Sequence, residues 1–152
     1  MTVGRICRRD VDLVDPDTTA RVAAQRMAAR NVGSLLVADG RRHVLGVVTD
    51  RDLALRVVGR GLDPHLTCVG EVMTPHPDTV SEETSVEDAL AVMRSRGVRR
   101  LPVLGPGGEL AGVVSVDDVL VLLAEEFGDL SRLIEHSSPR LMAHCQPWSD
   151  AP

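Results

Sequence analysis

Gly46-Val47-Val48-Thr49-Asp50-Arg51-Asp52 and Gly112-Val113-Val114-Ser115-Val116-Asp117-Asp118 decide the architecture of this chain. Each is a Gly-Val-Val run closed by a hydroxyl residue, with an aspartate three positions later. A short apolar run reads as a buried strand, and a Thr or Ser at its end reads as the N-cap of a helix. The two stretches lie 66 residues apart, and the same offset extends outward without a gap, so that residues 3–58 align on 69–124. Val3/Val69, Gly4/Gly70, Val14/Val80, Thr18/Thr84, Met27/Met93, Val37/Val103 and Asp52/Asp118 are among 15 identities in 56 pairs. Two unrelated segments of this Val-, Ala- and Leu-rich composition would share roughly four or five. The chain is therefore a duplication of one unit.

Each copy reads the same way. Thr84 and Glu87 have capping-box spacing, and Val86, Ala89, Leu90 and Met93 recur at helical intervals, which predicts a helix opening there. Ala20, Ala23, Ala24 and Met27 occupy the equivalent face of the first copy. Strands are expected over 34–38 and 100–104, then the turns Asp39-Gly40 and Gly105-Pro106-Gly107-Gly108, then second strands over 44–48 and 110–114. Their near-continuous apolar runs imply burial on both faces. Second helices start after Thr49 and Ser115 and run to about Val58 and about Phe127.

Residues 59–68, with Gly61, Asp63 and Pro64, read as a linker; Leu130, Leu133 and Ile134 read as a final helical turn, and an irregular tail follows from Ser137. A single unit would expose the apolar face of its sheet and helices, so the two copies are expected to bury those faces against each other. The expected class is α/β (α+β): two β-α-β-β-α repeats packed pseudo-symmetrically through their small sheets. Residues 1–68 form the first repeat with its linker, 69–128 the second and 129–152 a tail, the two repeats making one module.

Composition narrows the function. With 152 residues the chain can bury an adequate core without disulfides. One Phe, one Trp and no Tyr leave no aromatic platform for single-stranded nucleic acid, and a net charge of -5 disfavours duplex backbones. Cys7, Cys68 and Cys145 show no paired spacing, the N-terminus has no signal peptide, and no apolar stretch is long enough to span a bilayer. A cytoplasmic protein without membrane or nucleic-acid partners is the expectation.

The chemistry is concentrated in Thr49-x-x-Asp52 and Ser115-x-x-Asp118. A carboxylate at a helix start can accept two hydrogen bonds from the adjacent hydroxyls of a ribose, while the Thr or Ser hydroxyl and the first helix amides face a phosphate. The same spacing also fits a capping box, with Asp in place of the longer Glu. The residues alone leave both readings open.

Taken together, the doubled strand-helix-strand-turn-strand-helix order and the two Gly-Val-Val turns resemble a tandem pair of cystathionine β-synthase (CBS) domains, a Bateman module. Arg99-Arg100-Leu101-Pro102-Val103 resembles that family's phosphate-side strand, and Val69-Gly70-Glu71-Val72-Met73-Thr74 the segment that opens a copy. Thr49-Asp50-Arg51-Asp52 and Gly61-Leu62-Asp63-Pro64 look most like stand-alone actinobacterial members of the hypoxic-response, stress-related kind. The resemblance implies a regulatory ligand sensor that holds AMP, ADP, ATP or S-adenosylmethionine between the copies and has no other cofactor.

Carried over residue by residue, the resemblance places Thr49 and Asp52 in a first site with Thr79, Val80, Val98, Arg99, Arg100 and Pro102. Adenine would lie near Val80 and Val98, with the two arginines offsetting phosphate charge. A weaker second site would combine Ser115 and Asp118 with Leu13, Val14, Val32, Gly33, Ser34 and Leu36. There Gly33-Ser34 replace the arginine pair, Leu36 replaces the proline, and Asp117 adds negative charge.

Leu53, Leu55, Val57 and Val58 in one second helix, and Val119, Leu120, Val121, Leu122, Leu123 and Phe127 in the other, carry more apolar surface than one face needs. Similar modules dimerise through these helices, so a homodimer is expected, with an effector protein that the sequence does not name. Enzyme chemistry is not expected, for want of a Ser-His-Asp pattern, a nucleophile elbow or a Walker loop. No metal site is expected either, because Cys7, Cys68, His136, His144 and Cys145 match no zinc spacing. The rival reading is a ligand-independent dimerising protein-interaction scaffold, with a metal-binding stress protein behind it.

Overall fold

The computed structural model describes residues 1–137. The tail expected beyond Ser137 lies outside the described residues. The chain divides into two compact units, residues 1–116 and residues from Asp117 onward.

A 3-10 turn at Val3–Arg5 precedes β1 (Leu13–Val14), α1 (Ala20–Arg30), β2 (Ser34–Ala38) and β3 (Val44–Thr49). The short α2 (Asp50–Asp52) continues through a π-helical turn at Leu53–Val57 and a 3-10 turn at Val58–Arg60. Then come α3 (Val69–Val72), β4 (Thr74–Pro75), β5 (Val80–Ser81), α4 (Val86–Arg96), β6 (Arg100–Leu104), β7 (Leu110–Ser115) and α5 (Val116–Ser137). This is the mixed class expected, with a four-stranded sheet β1-β2-β3-β4 and a three-stranded sheet β5-β6-β7.

The repeat holds in detail. β1 runs parallel to β2 and β5 parallel to β6, and the antiparallel pairs β2/β3 and β6/β7 shift register at the same place, Val37/Ala38 and Val103/Leu104. The matched helices α1 and α4 both end on a left-handed residue, Asn31 (φ 53°) and Gly97 (φ 66°), after which Val32 N and Val98 N each return to the Met27 or Met93 carbonyl at 3.0 Å. Asp12 pairs with Arg30 and Asp78 with Arg96, each at 3.2 Å.

One prediction is off by a residue. α4 is capped by Ser85, whose Oγ accepts from Asp88 N at 3.0 Å, rather than by Thr84 with Glu87. Thr84 instead closes the turn after β5, its Oγ1 accepting from Ser81 N at 3.1 Å. The helix α5 also differs, passing through Gly128 to Ser137 without the separate final turn expected at Leu130, Leu133 and Ile134.

The copies exchange their opening segments. β4 belongs by sequence to the second copy yet pairs antiparallel with β3 of the first, Gly46 opposite Pro75 and Val47 opposite Thr74. Reciprocally, Arg8 and Val113 exchange both backbone hydrogen bonds at 2.9 Å. Val3 N donates to Thr84 O at 2.9 Å, and its mate Val69 N donates to Thr18 O at 2.8 Å. Val69 and Val72 thereby enter the core of the first copy, beside Val14, Ala23, Met27, Leu35, Val37, Val48 and Val57.

That crossing explains two matched glycines. A Cβ on Gly112 would stand 2.6 Å from the Arg8 carbonyl oxygen, and one on Gly46 would stand 2.9 Å from that of Thr74 and against the Met73 thioether. Only glycine lets one backbone approach another so closely.

Candidate functional site

In each copy the second strand of the hairpin, β3 or β7, runs directly into a helix, and the candidate residues gather at these two turns. At the first, β3 ends on Thr49, which is opposite Ser34 of β2, while Asp50 N donates to the Gly33 carbonyl at 3.0 Å. At the second, β7 ends on Ser115 opposite Arg100, and Val116 N donates to the Arg99 carbonyl at 3.0 Å. Gly33-Ser34 and Arg99-Arg100 therefore border the turn of their own copy, whereas the resemblance joined Arg99 and Arg100 to Thr49 and Asp52, and Gly33 and Ser34 to Ser115 and Asp118. Ser115 is buried, whereas both arginines are exposed.

The Asp52 carboxylate is the most fully determined group. Its Oδ2 accepts from Thr49 N at 2.9 Å and from Thr49 Oγ1 at 2.8 Å, and Asp52 N returns a bond to Thr49 Oγ1 at 3.1 Å. This is a complete capping box, closed by an aspartate where a glutamate is usual. Its Oδ1 lies 3.1 Å from Arg56 Nη2. Arg56 also donates from Nη1 to the Val72 carbonyl at 2.7 Å and from Nη2 to Thr74 Oγ1 at 3.1 Å, both in the crossed-over segment. A carboxylate offers about four lone-pair positions, so with three donors in place about one remains open.

The other candidates take different roles. Val80 and Val14 are 7% and 3% exposed and pair in their sheets with Val103 and Val37, so most of their surface belongs to the core. Val98, at 40% exposure, presents the apolar edge instead, and Thr79 beside Val80 is exposed. Leu13 pairs with Leu36; Leu36 and Pro102 are buried opposite Val47 and Val113. Asp118 lies in the first turn of α5.

An open hollow of about 460 Å3 adjoins the first turn, lined among others by Met27, Asn31, Val32, Gly33, Asp50 and Leu53. Its acidic group is Asp50, which the sequence reading passed over although it stands between Thr49 and Asp52. Arg56 was passed over as well, yet its i,i+4 spacing from Asp52 is that of a helical ion pair.

Among the described residues no group of three or more His, Cys, Asp or Glu could hold a metal ion. Cys7 and Cys68 are half-buried, while His144 and Cys145 lie outside the described residues. No described helix is long and apolar enough to cross a membrane.

A duplicated α+β unit with a hydroxyl-x-x-aspartate turn after each closing strand defines a tandem CBS pair. Residues 3–59 and 69–125 each match the CBS domain family, and the chain belongs to it. Among solved structures, CBSX2 from Arabidopsis thaliana is 31% identical with a TM-score of 0.73, covering 82% of this chain and 94% of its own. Hypoxic Response Protein I, solved with two coordinated zinc ions, is 30% identical with a TM-score of 0.72, covering 79% of this chain and 97% of its own. A complex of CBSX2 with AMP is 30% identical with a TM-score of 0.71 and covers 82% and 96%. An uncharacterised Methanopyrus kandleri protein is 33% identical over 79% of this chain, which spans 61% of that relative. The chain spans only 19% of the Arabidopsis protein CBSCBSPB3, to which it is 39% identical over 70% of its own length.

Proposed function

We propose that the chain is a non-catalytic regulatory module that binds an adenosine-containing nucleotide (AMP, ADP, ATP or S-adenosylmethionine) between its two CBS copies. The observation that carries this reading is the turn at 49–52, where a carboxylate, a hydroxyl and helix-start amides converge within 2.8–3.1 Å. The AMP complex of CBSX2 supports it. A ribose diol brings two donors to a carboxylate with about one position left, so one present donor must yield. The Thr49 hydroxyl is the least costly to release, because it rotates about one bond and is then free to donate to a phosphate oxygen.

In the first site Thr49 and Asp52 act with Thr79, Val80, Val98, Arg99, Arg100 and Pro102. Arg99 and Arg100, whose backbone borders the Ser115 turn, would have to reach across with their side chains to supply the positive charge that an adenylate phosphate requires there. The second site, Ser115 and Asp118 with Leu13, Val14, Val32, Gly33, Ser34 and Leu36, binds more weakly where the arginine side chains turn to the first site; tighter binding there would show that they serve the Ser115 turn, which their backbone borders. Calorimetric titration with the four ligands tests this: one tight and one weak site are expected, and equal affinities would defeat the asymmetry. Asp52→Ala should abolish tight binding.

A specific observation favours a second reading, the ligand-independent scaffold: Asp52 already satisfies its own cap and Arg56. On that reading Asp52→Ala lowers stability alone, by about 1–2 kcal/mol for the cap, and no adenosyl ligand binds the wild type. In either case the exposed Leu55 and Val58 after the first turn, and the exposed Leu120, Val121 and Phe127 after the second, are apolar side chains through which a homodimer would form. A persistent monomer in sedimentation would contradict that. Ligand occupancy would reach an effector through a change in the arrangement of the copies.

A further inference from the structure

We propose that Arg56 is a positioning residue for the first site, and that through it nucleotide affinity depends on the docking of the second copy's opening segment. The inference rests on the reading of Asp52 as the ribose acceptor. One guanidinium reaches three oxygens: Asp52 Oδ1 at 3.1 Å, the Val72 carbonyl at 2.7 Å and Thr74 Oγ1 at 3.1 Å. The first belongs to the candidate site, the other two to the crossed-over segment.

The planar fork of an arginine holds its partners in fixed directions. With Oδ1 held by Arg56 and Oδ2 by Thr49, the carboxylate keeps its orientation before a ligand arrives, and such preorganisation raises affinity without adding a contact. The Asp52 side chain is 15% exposed and that of Arg56 34%, so solvent screens the pair only in part.

The orientation of Arg56 is itself set from the other side. Val72 is 3% exposed within the first copy's core, and Thr74 sits in β4, held opposite Val47. Loosening that segment frees the guanidinium, and Asp52 then keeps only its cap. At the equivalent position of the second copy stands Leu122, which has no donor, so the second copy cannot make this i,i+4 ion pair.

A double-mutant cycle read by AMP titration tests the relay. Thr74 is exposed and touches Arg56 rather than Asp52, so Thr74→Val removes one anchor without entering the site. Arg56→Leu should weaken AMP binding about tenfold and Thr74→Val about threefold, while the double variant binds no worse than Arg56→Leu alone. Arg56→Lys should recover part of the loss, and it closes the cycle should Arg56→Leu not fold. A Thr74→Val loss that is undiminished in the Arg56 variants would overturn the relay, as would unchanged affinity in all of them. Wild-type protein that binds no AMP would remove the ribose reading and this inference together, an outcome visible without any variant.

Discussion

Aligned on their 66-residue offset, the two copies agree and differ in separate places. They agree at Val3/Val69 and Gly4/Gly70, which cross to the other copy, and at Gly46/Gly112, which admit the crossing backbone. They agree at Asp12/Asp78 and Arg30/Arg96, which make the same ion pair. They differ where strand meets helix: Gly33-Ser34 against Arg99-Arg100, Asp50 against Val116, Arg56 against Leu122. Residues with a structural duty in both copies are matched, and so are Asp52 and Asp118, but the residues around those aspartates are not. A symmetric frame thus carries two chemically unequal turns, and in the first the aspartate is joined to the crossed-over segment through Arg56.

The largest expected effect comes from breaking the crossing. In Gly112→Ala the new methyl meets the Arg8 carbonyl at 2.6 Å, a backbone atom that cannot swing aside, whereas Gly46→Ala meets first the flexible Met73 side chain. Overpacking of this kind costs about 1–3 kcal/mol, occasionally more. Urea unfolding should place Gly112→Ala at or above the top of that range and Gly46→Ala near its middle; two neutral variants would mean that the segments do not cross.

Truncating the crossing valines should have a smaller effect with a sharper address. Val3 and Val69 are 0% exposed, and removing two methyls from such a site costs about 2 kcal/mol. Hydrogen exchange should show that Val69→Ala, although in the second copy, loosens α1 and β2 of the first. Loosening confined to α4 and β6 would mean that each segment serves its own copy.

Much of the frame was legible because its elements obey simple periods. Ser34–Ala38 and Arg100–Leu104 fall where the apolar runs placed them, and the Thr49 turn is where the helix start was read. The crossing was not legible, since Thr74–Pro75 is too short for any periodicity and its partner β3 is remote in sequence. Its one trace was the pair of matched glycines. The cap of α4 was misplaced because Thr84-x-x-Glu87 and Ser85-x-x-Asp88 are overlapping frames of one pattern, and the choice depends on which hydroxyl the preceding turn takes. For Asp52 the sequence located the carboxylate but could not say which way it points, and on that orientation hangs the choice between sensor and scaffold.

A milder change probes the two helix ends. Gly97 holds φ 66° where Asn31 holds φ 53°. A Cβ on Gly97 would meet nothing within 4 Å, so Gly97→Ala tests backbone strain alone and should cost about 1 kcal/mol. Asn31→Gly should be neutral or slightly stabilising, because asparagine tolerates this conformation less well than glycine but better than alanine. Equal losses at both positions in thermal unfolding would mean that the two caps are not equivalent.

The smallest effect separates the hairpin turns. In the first copy Asp39 Oδ1 accepts from Arg41 N and His43 N, each at 2.8 Å, and Oδ2 lies 3.0 Å from His43 Nδ1; Gly105 stands in its place in the second copy. The backbone hydrogen bond from His43, with smaller contributions from the His43 ring and the Arg41 amide, holds the Asp39 carboxyl below its ordinary value. A carboxyl depressed on folding contributes stability above its unfolded pKa, and that contribution disappears as pH falls through the folded value. The melting temperature of the wild type should therefore exceed that of Asp39→Asn near neutral pH, and the gap should close in acid below the usual carboxylate range. Because the group is exposed and screened by salt, the gap should also narrow at high ionic strength. A gap unchanged by acid would show that the turn is held by its backbone geometry alone, as the glycine-rich turn of the second copy must be.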